Sequence, residues 1–157
     1  MKMKKIISLF ASFCVFGFCS VTAQSNYKTA IGLRLGSPFG ITAKTFVSKT
    51  DAIEGILHAY SNDIGFTGLY ERHGKIGNIP EFNVYFGAGA GIAIHNINNN
   101  YNNYASIGID GILGVEYTIS SIPINVSIDV KPYINIVPDI EISQRTIDAA
   151  LSVRYYF

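Results

Sequence analysis

Three histidines, His58, His73 and His95, are the side chains best suited by type to acid–base or metal chemistry in this chain. They are scattered, and none belongs to a close-set group of His, Asp and Glu at metal-ligand spacing. His58 shares a strand face with Glu54, so an interior hydrogen bond is its simpler role, while His73 and His95 fall near strand ends. Carboxylate pairs, Glu54 with Glu71 and Asp110 with Glu116, are candidates for proton transfer. Charge balance within a packed interior accounts for them with fewer assumptions. "GAGAG", Gly87 to Gly91, has the composition of a phosphate-cradling loop, but such loops open a helix and no helical pattern follows it. No Gly-x-Ser-x-Gly elbow presents a nucleophile. Catalytic, cofactor-binding and metal residues are therefore assigned as none, and the chain is expected not to be an enzyme.

The elements that must position these residues are strands. Eight segments alternate with period two between turn-forming residues, namely Tyr27–Leu35, Gly40–Ser48, Ala52–Tyr60, Ile64–Arg72, Phe82–Ile94, Tyr104–Tyr117, Ile124–Ile136 and Ile147–Phe157. The turns read "GSPFG", "SKTDA", "SND", "HGKIGNIPE", "HNINNNYNN", "TISSIP" and "VPDIEISQRT". Gly87, Gly89 and Gly91 then point inward, and the expectation is that they make room for long side chains from opposite strands. Pro132 falls within the seventh segment, where it removes a ladder bond. A bulge or a register slip is expected near "DVKPY".

The two parities differ sharply. One carries Ile31, Leu33, Leu35, Ile41, Val47, Ile53, Leu57, Phe66, Phe86, Ile92, Ile109, Leu113, Ile128 and Val130, with Arg72 at a strand end as its one charge. The other carries Arg34, Lys44, Lys131 and Arg154 among the bases and Glu54, Glu71, Asp110, Glu116, Asp129 and Asp148 among the acids. Such a split suits a soluble barrel with a greasy core or a membrane barrel with a greasy exterior. Three features favour the second. The apolar face is uniform round all eight strands, and only a closed sheet satisfies its backbone in lipid. Tyr27, Tyr70, Phe82, Tyr117, Tyr155 and Phe157 gather at one rim as an interfacial girdle would. The inward charges nearly balance, so they can pair across a narrow lumen.

The first residues fit export. Lys2, Lys4 and Lys5 precede the apolar run Ile6 to Phe18, and Val21-Thr22-Ala23 forms a small-residue cleavage site. Residues 1–23 are read as a cleaved secretory signal and 24–157 as the barrel domain, with a lipid-modified Cys19 disfavoured by bulky Phe18 before it. Cys14 and Cys19 both lie in the discarded segment, so the mature domain has no thiol for a disulfide or a zinc site. Loss of three lysines leaves nine basic against eleven acidic residues, without a basic run, so nucleic acid is not an expected partner.

The strand count, the signal segment and the terminal "VRYYF" resemble the small eight-stranded outer-membrane barrels of Gram-negative bacteria, the OmpA/OmpX type, and in particular compact single-domain barrels of the Bacteroidota. The resemblance covers Tyr27 to Phe157. It implies an all-β, closed antiparallel eight-stranded up-and-down transmembrane β-barrel, in the bacterial outer membrane after Sec-dependent export. It also implies outer-membrane lipid and the barrel-assembly machinery as partners, the latter through the last strand ending in Phe157. The lipid A deacylase barrels carry a His-x-Ser motif, and no histidine here has serine two positions on; "HAYS" at His58 to Ser61 misses by one. Family barrels have short periplasmic turns, whereas "HGKIGNIPE" is long.

The expected function is a non-enzymatic, monomeric outer-membrane barrel with a side-chain-plugged, charge-paired lumen. Its role is structural or in surface interaction through external loops, chiefly Asn96–Asn103 and Val137–Thr146. The alternative is a narrow porin or small-solute channel, and behind it a lipid-modifying enzyme. Mass spectrometry of the protein from cell envelopes is expected to find an N-terminus at Gln24. An intact Met1 would refute the export reading, and a lipid on Cys19 would refute cleavage before Gln24.

Overall fold

The computed structural model describes residues 27–60, 63–96, 103–137 and 147–157. The expected signal segment and the loop stretches 97–102 and 138–146 lie outside the described residues. Eight strands follow in order: β1 Thr29–Gly36, β2 Phe39–Phe46, β3 Asp51–Tyr60, β4 Asp63–Lys75, β5 Phe82–Asn96, β6 Asn103–Ile119, β7 Ile124–Val137 and β8 Ile147–Tyr156. Each pairs antiparallel with its sequence neighbour. β8 returns to β1 from Ala30↔Tyr156 to Gly36↔Ala150, so the sheet closes on itself. The chain is thus an all-β, closed, eight-stranded up-and-down barrel. Closure leaves no exposed edge, which β-branched, alternating sequences of this kind would otherwise present for aggregation.

Local chemistry sets the connections at the end where the described chain begins and finishes, here called the lower end. Between β2 and β3 the Ser48 hydroxyl accepts from the amides of Thr50 and Asp51 at 3.2 and 3.0 Å and donates to Asp51 at 2.8 Å. Between β4 and β5 the strand runs on to Lys75, so the long connection expected from the sequence shrinks to residues 76–81. Gly77 there has φ 63°, a left-handed conformation that costs glycine nothing.

Pro132 behaves differently from expectation. Asp110↔Tyr133 and Leu113↔Val130 keep one register on either side of it, so no slip occurs there. The β6–β7 ladder simply lacks pairs at Gly111 and Ile112, and Pro132 packs against Gly111. The register shift comes further along, where Gly108 pairs with Asn135 and Ile107 with Val137, leaving Ile136 as the extra residue. A proline tolerates a missing bond more easily than a whole strand tolerates facing the wrong way.

The glycines of β5 do point inward, but for another reason than the one expected. A Cβ at Gly89 would lie 1.8 Å from the Gly68 carbonyl oxygen, and one at Gly87 would lie 2.2 Å from that of Tyr70. The near atoms belong to the adjacent backbone of β4, not to side chains across the lumen. Tight curvature of a narrow barrel forces this approach. Gly91 comes closer to the expectation, since its neighbours are the side chains of Asp110 and Thr67 at 2.8 and 2.9 Å.

Parity sorts the side chains as the alternation requires. All ten inward charges are buried, with Lys44, Glu54, Glu71 and Arg154 at 0% exposure. The outward aliphatics stay bare, Ile41 at 50%, Leu57 at 51% and Ile128 at 60%. Tyr70, Tyr117, Tyr155 and Phe157 line the lower rim outside, as expected. Tyr27 does not join them. It lies ahead of β1, freed from strand alternation, and its ring turns into the lumen, buried.

Replacing Gly89 by Val is expected to cost at least about 1–3 kcal/mol, because overpacking here meets backbone. Ala90→Val, one residue on and outward, is expected to be tolerated. Urea unfolding of the two variants, followed by the gel mobility of the folded form, checks the contrast.

Candidate functional site

The lumen gathers polar side chains from all eight strands, and they fall into two clusters. In the lower one, Lys44 of β2 sits directly across the ladder from Glu54 of β3. Its Nζ lies 2.7 Å from Glu71, 3.3 Å from Glu54 and 3.8 Å from Glu116. Arg154 of β8 reaches across to Glu54 at 2.5 Å and donates to the Ser127 hydroxyl at 2.7 Å. The Thr42 hydroxyl also donates to Glu54. His73 stands between Glu71, 3.1 Å from Nε2, and Glu116, 3.3 Å from Nδ1.

The upper cluster is built around Arg34 of β1. Its Nη1 meets both oxygens of Asp129 at 2.7 and 2.8 Å, and its Nη2 meets Asp148 at 3.3 Å. Lys131 pairs with Asp110 at 2.7 Å. These partners come from β1, β6, β7 and β8, so no local segment could form them alone.

Tyr85 of β5 joins the two levels. Its hydroxyl donates to Asp129 at 3.0 Å, its ring stacks on His73 with centroids 5.0 Å apart, and Lys44 Nζ sits 4.1 Å from its centroid. Gly114 on β6 makes this possible, since a Cβ there would fall 2.5 Å from the tyrosine ring. Ile56, Leu69 and Ile112 pack with Tyr85 as a small apolar patch inside the otherwise polar lumen. Below, Tyr27 meets Phe46 edge-on and stacks on Tyr156, both at 5.2 Å, and Phe46 contacts His73 at 4.7 Å. The Tyr27 hydroxyl donates to Glu116 at 3.3 Å. Aromatic rings therefore fill the lower end.

The arrangement pairs charge without cancelling it, since each cluster sets two permanent cations against three carboxylates. Each lumen carboxylate faces a cation, Lys44 or Arg154 in the lower cluster and Arg34 or Lys131 in the upper one. Among the described residues no group of three His, Cys, Asp or Glu is placed to hold a metal ion. Alternation identified the ten charges correctly. It did not single out Tyr85, which shares the inward parity of Asn83, and it placed His73, which shares that of Glu71, near a strand end without a partner. His58 does point inward, but the hydrogen bond expected of it is not formed: its Nδ1 has no partner. The ring leans instead over Gly65 on the next strand. Outside, Arg72 pairs with Asp51 at 2.8 Å near the lower rim. No protein-family model matches this chain, and comparison with curated proteins and with solved structures finds no match.

Lys131→Met should destabilise the barrel by about 3–5 kcal/mol, since it strands Asp110 in a dry site. Adding Asp110→Asn should recover much of that loss. A double-mutant cycle from urea titrations measures both, and strictly additive losses, with no coupling between the two positions, would show the pair to be unimportant.

Proposed function

We propose that the protein is a non-enzymatic outer-membrane β-barrel of the OmpA/OmpX type, with a plugged lumen and a structural or surface-interaction role. The observation that carries this reading is the inversion of polarity: ionised groups buried, aliphatic side chains exposed all round a closed sheet. Water would penalise such a surface at ~25 cal/mol per Å² of apolar area. Lipid would not, and a closed barrel gives every backbone group the partner lipid cannot. Dimensions agree. From Ile107 to Tyr117 on β6 the outward side chains span about 25 Å along the axis, taking ~3.3 Å per residue and a tilt of ~40°. That equals the ~25 Å apolar band of outer-membrane barrels. Tyr117 and Tyr155 at its lower edge supply the amphipathic rings that sit among headgroups.

The filled lumen favours the plugged form over a channel. Eight strands leave an interior only wide enough for side chains, and the aromatic group Tyr27, Phe46 and Tyr156 stands across the lower end. Phe157, at 66% exposure beside the seam of β8 and β1, is the residue assigned to recognition by the assembly machinery.

Membrane fractionation, then electrophoresis with and without boiling, tests location and closure together. The protein is expected in the outer-membrane fraction with a heat-dependent mobility shift; recovery in the soluble fraction without detergent would refute the proposal. Leu113→Arg adds an energetic test. Leu113 is outward and mid-strand, so arginine should cost ~2–4 kcal/mol in a bilayer and under ~0.5 kcal/mol on a water-exposed surface. Planar-bilayer recordings are expected to be silent, and steady unitary conductance would favour the channel alternative.

A further inference from the structure

The lower cluster holds two permanent cations, Lys44 and Arg154, against three carboxylates, Glu54, Glu71 and Glu116. All five are at or below 1% exposure, so no counterion from solvent balances the odd charge. Leaving one carboxylate uncompensated in a dry site would cost several kcal/mol. His73 lies in the gap. Its Nε2 is 3.1 Å from Glu71 and its Nδ1 is 3.3 Å from Glu116, at 2% exposure.

A neutral imidazole has one N–H and one bare lone pair. Whichever nitrogen lacked hydrogen would aim that lone pair at a carboxylate oxygen, which only accepts. Both contacts are favourable together only when both nitrogens carry protons. The 3.3 Å contact is a close ion pair more than a well-formed hydrogen bond, which still requires the positive ring. Lys44 of β2 opposes a second cation, since its Nζ lies 2.7 Å from the same Glu71 oxygen that His73 Nε2 meets, and three carboxylates surround it. The other neighbours favour the charged ring: Phe46 meets it edge-on, and Tyr85 of β5 presents a π-face 5.0 Å away, a surface that suits a cation. Tyr27 adds a hydroxyl to Glu116. Arg154 of β8 is occupied by Glu54 of β3, which in turn faces Glu71.

We propose that the lower lumen binds one structural proton as a His73 imidazolium bridging Glu71 and Glu116, and that this proton locks the aromatic end of the barrel. His73 touches Phe46 and Tyr85, so the proton ties the ring stack to walls on β4 and β6. The folded barrel then holds one proton more than the unfolded chain in mildly alkaline solution. Its stability therefore falls as pH rises, with the unfolded-to-folded ratio growing by up to about tenfold per pH unit. The inference concerns the lumen alone, so its failure would leave the membrane reading untouched, and the reverse also holds.

The test uses the protein extracted in detergent from cells grown on ¹⁵N-histidine. Both ring nitrogens of His73 are expected to show imidazolium nitrogen shifts at pH 7, assigned by their loss in His73→Gln. If that variant does not fold, His58→Gln and His95→Gln assign the signal by elimination. Urea unfolding between pH 6 and 9, below the range where tyrosines ionise, should show the predicted slope, with His73→Gln flat. A neutral His73 tautomer at pH 7 would put the proton on the Glu54–Glu71 pair and overturn the proposal. A wild-type stability that does not change across the range would overturn it as well.

Discussion

Ten ionised side chains have to be kept out of solvent by a chain of modest size, and every other feature of the barrel follows from that demand. A single buried charge costs several kcal/mol unless another charge and further hydrogen bonds surround it. Here the partners never lie on one strand: Arg34 of β1 needs Asp129 of β7 and Asp148 of β8, and Arg154 of β8 needs Glu54 of β3. The Arg34 and Arg154 pairs form only after the sheet has closed, whereas Lys44–Glu54 and Lys131–Asp110 join neighbouring strands. Closure therefore completes charge satisfaction, and a slip of one residue in any strand would swap ionised groups for aliphatics on both faces.

Narrowness is the second consequence. Short cation–carboxylate distances across the axis require strands to curve tightly, and the backbone of β4 comes so near β5 that Gly87 and Gly89 have no space for a Cβ. Elsewhere a missing side chain gives room to a large one, as Gly114 does for Tyr85. Tyr85 then spans the two charge clusters with one hydroxyl and two ring faces, a task that neither an aliphatic nor a charged residue could do. The lower end closes on aromatic rings. The two ends of the lumen are thus unlike in chemistry although the strands that build them are continuous.

The strands, their parity and the ten inward charges were legible because period two is enforced at every residue by the pleat, so each strand repeats the signal several times. Gly87 and Gly89 were placed on the right face for the wrong reason, since alternation says which way a residue points and nothing about how near the next strand comes. Tyr27 was assigned to the outer rim because parity was extended past the last ladder bond, where the backbone is free to turn. Pro132 marked a disturbed ladder correctly, but the bulge settled at Ile136. A missing bond at Pro132 and Gly111 can be absorbed locally, whereas the shift had to occur where fewer inward charges fix the register. His73 was named as a candidate but left without a partner, because Glu116 is distant in sequence.

The amino-acid order by itself determined which residues share a face, and hence that the chain must become a closed all-β wall with unlike sides. That information is local, repeated and carried by the backbone geometry common to all strands. Which cation meets which carboxylate, where the rings stack and how one imidazole comes to lie between two glutamates were decided only by the tertiary structure. Those contacts join strands far apart in sequence, and they depend on the stagger and radius of the closed sheet, which are properties of the ring and of no strand within it.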